Sequence, residues 1–183
     1  HKDDENQVSQ LFWGRVNISH ATAFFYFSKG SRYQTLIHSL KYKGRDDIGI
    51  EAGRMFGAEI SGSVFDMVDI VVPVPLHRKK LRARGYNQSE MIAKGLCLSL
   101  GKPLVTDLLE RVDFTDTQTR KSRYDRFINV SGSFTINETI SLQNKHVLLV
   151  DDVVTTGSTL EACAEVLLKG GAGKISVAAL AVA

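Results

Sequence analysis

Apolar positions recur along this chain with two spacings, and the spacings divide it into elements. In 32–43, Tyr33, Leu36, Ile37 and Leu40 fall at helical intervals, and Gly44 stops the helix. A second helix is predicted over 47–60, with Ile48, Ala52, Met55, Phe56 and Ile60 facing inward. Ahead of these, 16–27 is rich in β-branched and aromatic residues and predicts one or two strands, whereas the polar residues 1–10 predict a frayed start. Val68-Asp69-Ile70-Val71-Val72 is a nearly continuous apolar run, as in a buried parallel strand, and Pro73 and Pro75 end it. A helix over 87–100 follows, with Met91, Ile92, Leu96 and Leu100 inward. Residues 106–129 are polar; 131–136 predicts a strand, and His146-Val147-Leu148-Leu149-Val150 a buried one. The helix over 158–169 turns Leu160, Cys163, Ala164, Leu167 and Leu168 to one side and ends at Gly170-Gly171-Ala172-Gly173. A last strand covers 174–183.

Strands alternating with helices predict an α/β fold: an open, mostly parallel twisted sheet flanked by helices. Residues 61–183 read as its core domain and 1–60 as a small N-terminal hood, where Trp13 is expected to pack. Ligands of such sheets sit beyond the carboxyl ends of the strands.

Composition narrows the picture modestly. Hydrophobic residues make up 43% and charged residues 23% of the 183, which excludes a wholly disordered or low-complexity chain. A net charge of +3 does not by itself require nucleic acid. The apolar stretch 21–27 is far shorter than the ~20 residues that span a bilayer, so no membrane partner is expected. The two cysteines, Cys97 and Cys163, form no CxxC pair and read as buried free thiols, which suits a cytoplasmic location.

The sharpest segment runs from Val147 to Leu160. Four apolar residues are followed by Asp151 and Asp152, two apolar residues, and then Thr155-Thr156-Gly157-Ser158-Thr159 opening a helix. A helix N-terminus offers unpaired backbone N–H groups and partial positive charge. Gly157 lets the backbone approach an anion, and Thr155, Thr156, Ser158 and Thr159 add hydroxyls, so the loop is a phosphate cradle. The two carboxylates would repel that phosphate; they suit vicinal hydroxyls, or an indirect contact with Mg²⁺ through its water shell. A phosphate beside a diol describes a phosphorylated ribose. No G-x-x-x-x-G-K-[ST] accompanies the acids, which argues against a nucleoside triphosphate.

A second constellation follows the strand ending at Pro73. In Pro75-Leu76-His77-Arg78-Lys79-Lys80-Leu81-Arg82-Ala83-Arg84, five of the seven residues after His77 are cationic. Read as a loop at the same sheet edge, this run suits a pyrophosphate, through Arg78, Lys80, Arg82 and Arg84. A solvated basic face is the alternative.

The acid pair and hydroxyl loop resemble the 5-phosphoribosyl-1-pyrophosphate (PRPP) motif of type I phosphoribosyltransferases. With Pro73-Val74-Pro75-Leu76-His77, Arg82-Ala83-Arg84-Gly85-Tyr86-Asn87-Gln88, Leu40-Lys41-Tyr42-Lys43-Gly44 and Gln118-Thr119-Arg120-Lys121-Ser122, the chain resembles the ComF family from about residue 36 onward. The resemblance implies the type I phosphoribosyltransferase fold, PRPP with Mg²⁺ as ligand and cofactor, and a role in DNA uptake. It also implies a mobile loop, carried here by Gln118, Thr119, Arg120, Lys121, Arg123 and Arg126. Asp151, Asp152 and Arg84 become the candidate catalytic residues, with Pro75, Leu76 and His77 joining the pyrophosphate set. Many ComF proteins begin with a cysteine-rich zinc segment that this sequence does not contain. Enzymes for 6-oxopurines carry an Asp where Thr155 stands, so that acceptor class is disfavoured. Three readings stay open: a ComF-type protein serving competence, a housekeeping nucleobase transferase, and a non-enzymatic PRPP-responsive module that binds single-stranded DNA. Competence proteins and further copies of the chain stay open as partners.

Overall fold

The computed structural model describes residues 6–26, 32–42, 44–112, 133–137 and 139–183. Its centre is a four-stranded sheet in the order β1-β6-β5-β2, parallel at each pairing. The strands are β1 (His20–Tyr26), β2 (Ile70–Pro73), β5 (His146–Val154) and β6 (Lys174–Val182). Two short strands, β3 (Leu109–Arg111) and β4 (Phe134–Ile136), pair antiparallel outside it.

The apolar runs form the central strands because a parallel sheet covered on both faces buries every side chain. Neighbouring residues then point to opposite layers. Val147, Leu149, Val177 and Ala179 meet Leu160, Cys163, Ala164 and Leu167 of α6 (Ser158–Lys169). Leu148, Val150, Ala178 and Leu180 meet Phe56, Ile60, Ile92 and Leu96. These last belong to α3 (Asp46–Ile60) and α5 (Gln88–Leu100).

The helices α3 and α5 approach closely through glycine. A Cβ on Gly53 would lie 2.1 Å from the Ile92 carbonyl oxygen, and one on Gly95 2.0 Å from that of Ile50. Gly49, Gly53 and Gly57 therefore form the contact face of α3, and Met55, expected inward, is 53% exposed.

Among the first sixty residues, β1 lies beside β6, pairing His20 with Ser176 through Tyr26 with Val182. The short α1 (Gln7–Gln10) is capped by Asn6, whose Oδ1 accepts from the Val8 and Ser9 amides. Asn6 Nδ2 also donates to the Ala21 carbonyl at 2.7 Å and ties α1 to β1. Residues 6–10 are thus held in place, where a frayed start was expected. Trp13 is 58% exposed rather than packed. Helix α2 covers Arg32–Tyr42, and Lys43, the expected last residue, lies outside the described residues.

The cationic run, expected as a loop, is helix α4 (Arg78–Arg84). His77 caps it, its Nδ1 accepting from the Lys79 amide at 3.1 Å, and Gly85 closes it at φ 84°. Both cysteines are free, as expected; burial pushes the Cys97 thiol up to about 11 and that of Cys163 well above its ordinary range. No described helix is long and apolar enough to cross a membrane.

Candidate functional site

Strand β5 extends four residues past the predicted Val150, so Asp151 and Asp152 lie within the strand rather than after it. Its partner β2 stops at Pro73, opposite Val150. The acid pair therefore stands above the end of the shorter strand, where the sheet edge opens.

Asp151 and Asp152 have different surroundings. Asp151 Oδ1 accepts from Ser89 Oγ at 2.9 Å and from the Asp152 amide at 2.8 Å. Loss of hydration, and next the Asp152 carboxylate, push the Asp151 carboxyl up to about 7. Asp152 Oδ1 accepts from the Val153 amide at 2.7 Å, and its Oδ2 is 2.9 Å from Lys41 Nζ. Ser89 sits in the first turn of α5, which Asn87 positions by capping that turn and donating to the Val74 carbonyl at 2.9 Å. Lys41 comes from the last turn of α2.

The hydroxyl loop follows at once. Residues 153–160 and Asp151 line a hollow of about 40 Å³, small enough for the loop to wrap a single compact group. Gly157 takes φ 75°, its carbonyl starts α6 by accepting from Glu161, and the Thr156 and Ser158 hydroxyls lie 3.1 Å apart. The interior of Gly157 is backed by Phe12, whose Cε1 would lie 3.1 Å from a Cβ there.

Pro75, Leu76 and His77 are half-buried between β2 and α4. On α4, Arg78, Lys80 and Arg82 are exposed, whereas Arg84 is half-buried and donates to Gln88 Oε1 at 2.7 Å. Gln118, Thr119, Arg120, Lys121, Arg123 and Arg126 lie outside the described residues.

Three contributors escape the sequence reading of the site. Lys41 stands in a stretch noted only for its family likeness, and Ser89 follows a capping Asn. Arg15 reaches the Thr156 carbonyl across 141 residues, and no local pattern signals it.

Among the described residues, no three His, Cys, Asp or Glu side chains gather to hold a metal. The acid pair alone fits a cation held mostly by water and ligand oxygens, as Mg²⁺ is commonly held.

A parallel sheet with paired acids and a hydroxyl loop at one strand end defines a class. The phosphoribosyl transferase domain family matches residues 88–182, more than half of the chain, and the chain belongs to that family. Two solved structures share the fold over 78% of this chain and 30% of theirs, each with a TM-score of 0.53. One is the allosteric regulatory enzyme of purine biosynthesis, at 19% identity; the other is the glutamine PRPP amidotransferase from B. subtilis, at 20%.

The chain is also similar to curated proteins of DNA utilization and competence. It is 33% identical over 146 residues to DNA utilization protein YhgH of Salmonella typhimurium, covering 78% of this chain and 63% of that protein. It is 37% identical over 117 residues to competence protein F of Haemophilus influenzae, covering 62% and 50%. Competence protein ComFC of Bacillus subtilis is 29% identical over 137 residues, covering 74% and 54%. The chain thus spans less than two thirds of the length of these relatives.

Proposed function

We propose that this protein binds PRPP with Mg²⁺ in the cytoplasm and serves DNA uptake or utilization. The observation that carries the reading is the junction at the end of β5, where an acid pair runs directly into a hydroxyl loop and Asp151 lines one small hollow with that loop. The loop from Thr155 to Thr159 takes the 5′-phosphate on backbone N–H groups and hydroxyls. Asp151 and Asp152 accept hydrogen bonds from the ribose hydroxyls. The half-buried Arg84, with Arg78, Lys80 and Arg82 of the neighbouring α4, neutralises the pyrophosphate. Mg²⁺, when bound, adds charge stabilisation to the departing pyrophosphate. Free thiols suit a reducing compartment. The relatives' names, DNA utilization protein and competence protein, support the process.

Calorimetry of PRPP in Mg²⁺ tests the ligand. The double variant Asp151→Asn, Asp152→Asn is expected to weaken binding at least about tenfold, or ~1.4 kcal/mol. Unchanged affinity would remove the ribose from this position. Pyrophosphate release from PRPP against a panel of nucleobases tests turnover, and release with none of them would leave a PRPP-binding module.

A second reading, single-stranded DNA binding, is favoured by the exposed cations Arg78, Lys79, Lys80 and Arg82 along one short helix.

A further inference from the structure

The segment between α1 and β1 passes behind the hydroxyl loop, outside the residues matched by the family domain. Arg15, at its centre, donates through Nη1 to the Leu11 carbonyl at 2.9 Å and to the Thr156 carbonyl at 2.6 Å. Its Nη2 donates to Ser158 Oγ at 3.2 Å and to Glu161 Oε2. Glu161 is 8% exposed and belongs to the first turn of α6. One guanidinium therefore joins the segment's own backbone to three points of the loop and helix start.

Direction gives this contact its meaning. A trans peptide is planar, so its carbonyl and N–H point to opposite sides. Arg15 lines a separate hollow of about 530 Å³ on the N-terminal segment, and does not line the small one inside the loop. Holding the Thr156 carbonyl toward Arg15 turns the Gly157 N–H away from it. Phe12 supports the same peptide by packing at the Gly157 backbone. Ser158 Oγ accepts from Arg15 and lies 3.1 Å from the Thr156 hydroxyl, so the guanidinium also anchors the hydroxyl pair of the loop. Glu161 would otherwise set a carboxylate beside any anion in the loop, and the ion pair with Arg15 offsets it.

We propose that Arg15 is a positioning residue for the phosphate cradle. It fixes the Thr156–Gly157 peptide and cancels Glu161, so the loop is set for a phosphate monoester before the ligand arrives. The inference rests on the reading of this loop as a phosphate site.

Removing Arg15 alone strands the Glu161 carboxylate, so the informative variant is Arg15→Gln with Glu161→Gln, which removes both charges. Its thermal midpoint is expected to stay near that of the parent protein. Without ligand, amide exchange measured by NMR should quicken for residues 155–159 and not across the sheet. Calorimetry with PRPP in Mg²⁺ should read about tenfold weaker affinity. Arg15→Lys, which keeps one charged donor, should restore part of it. Unchanged exchange in the loop overturns the proposal, as does PRPP affinity within twofold of the parent. If the parent protein binds no PRPP, the ligand reading falls by itself, and the exchange rates still decide whether Arg15 orders the loop.

Discussion

At the scale of single residues, the acid pair is distinctive because its two carboxyls are held differently. The Asp151 carboxyl is raised from 3.8 to about 7, chiefly by lost hydration. Between those values the folded chain binds more protons at this residue than the unfolded chain. Stability then falls as pH rises through the window. Asp151→Asn mimics the protonated form, so its thermal midpoint relative to the parent should climb from pH 4 to pH 8. A rise of several degrees is expected by calorimetric or circular-dichroism melting, since each unit by which the carboxyl is raised corresponds to ~1.4 kcal/mol and ~1 kcal/mol to about 2–4 °C in a domain of this size. A constant difference across pH would mean that Asp151 stays charged. Gly157 is constrained in another way: at φ 75° a side chain costs about 1–2 kcal/mol, and a Cβ would press on Phe12. Gly157→Ala should lower the midpoint and weaken PRPP binding together. The acids and hydroxyls were legible because strand, acid pair and loop are contiguous in sequence. Ser89 was not, since it reaches Asp151 across 62 residues, and side chains that converge through the fold leave no local spacing to read.

At the scale of elements, hydrophobic spacing located most strands and helices, and its errors have two causes. It counts large apolar residues, so it turned Met55 inward and passed over Gly49, Gly53 and Gly57, which make the actual contact with α5. Absent side chains let the two backbones approach, and a hydrophobicity pattern registers them weakly. Gly53→Ala would place a Cβ 2.1 Å from the Ile92 carbonyl oxygen, forcing the helices apart. Overpacking of this kind costs typically about 1–3 kcal/mol, to be read as a lower urea midpoint at similar slope. Because α5 carries Ser89 to Asp151, the same variant should also loosen the acid pair. Helix α4 was missed for the opposite reason: five cations in seven residues mask helical periodicity, although a capping His77 and a terminal Gly85 bracket it.

At the scale of the whole molecule, parallel strands could be read from continuous apolar runs, but their order could not. That β2 lies beside β5 depends on packing between distant segments, and this adjacency brings α4 and the hydroxyl loop to one edge of the sheet. Arg78, Lys79, Lys80 and Arg82 face solvent there. A short solvent-facing cationic helix is an electrostatic footprint for a nucleic-acid backbone, and such binding is marked by its dependence on salt. If α4 tracks a single strand, affinity for an oligothymidine should fall steeply with salt. Each cation removed should flatten the slope of log K against log salt by about 0.7. Arg78→Gln with Lys79→Gln should therefore flatten it by about 1.4, with loss of affinity largest at low salt. Adding PRPP decides whether the two ligands share the edge: competition for Arg78 and its neighbours would weaken the oligonucleotide in proportion to PRPP occupancy. No measurable binding at low salt would confine the cations of α4 to the pyrophosphate.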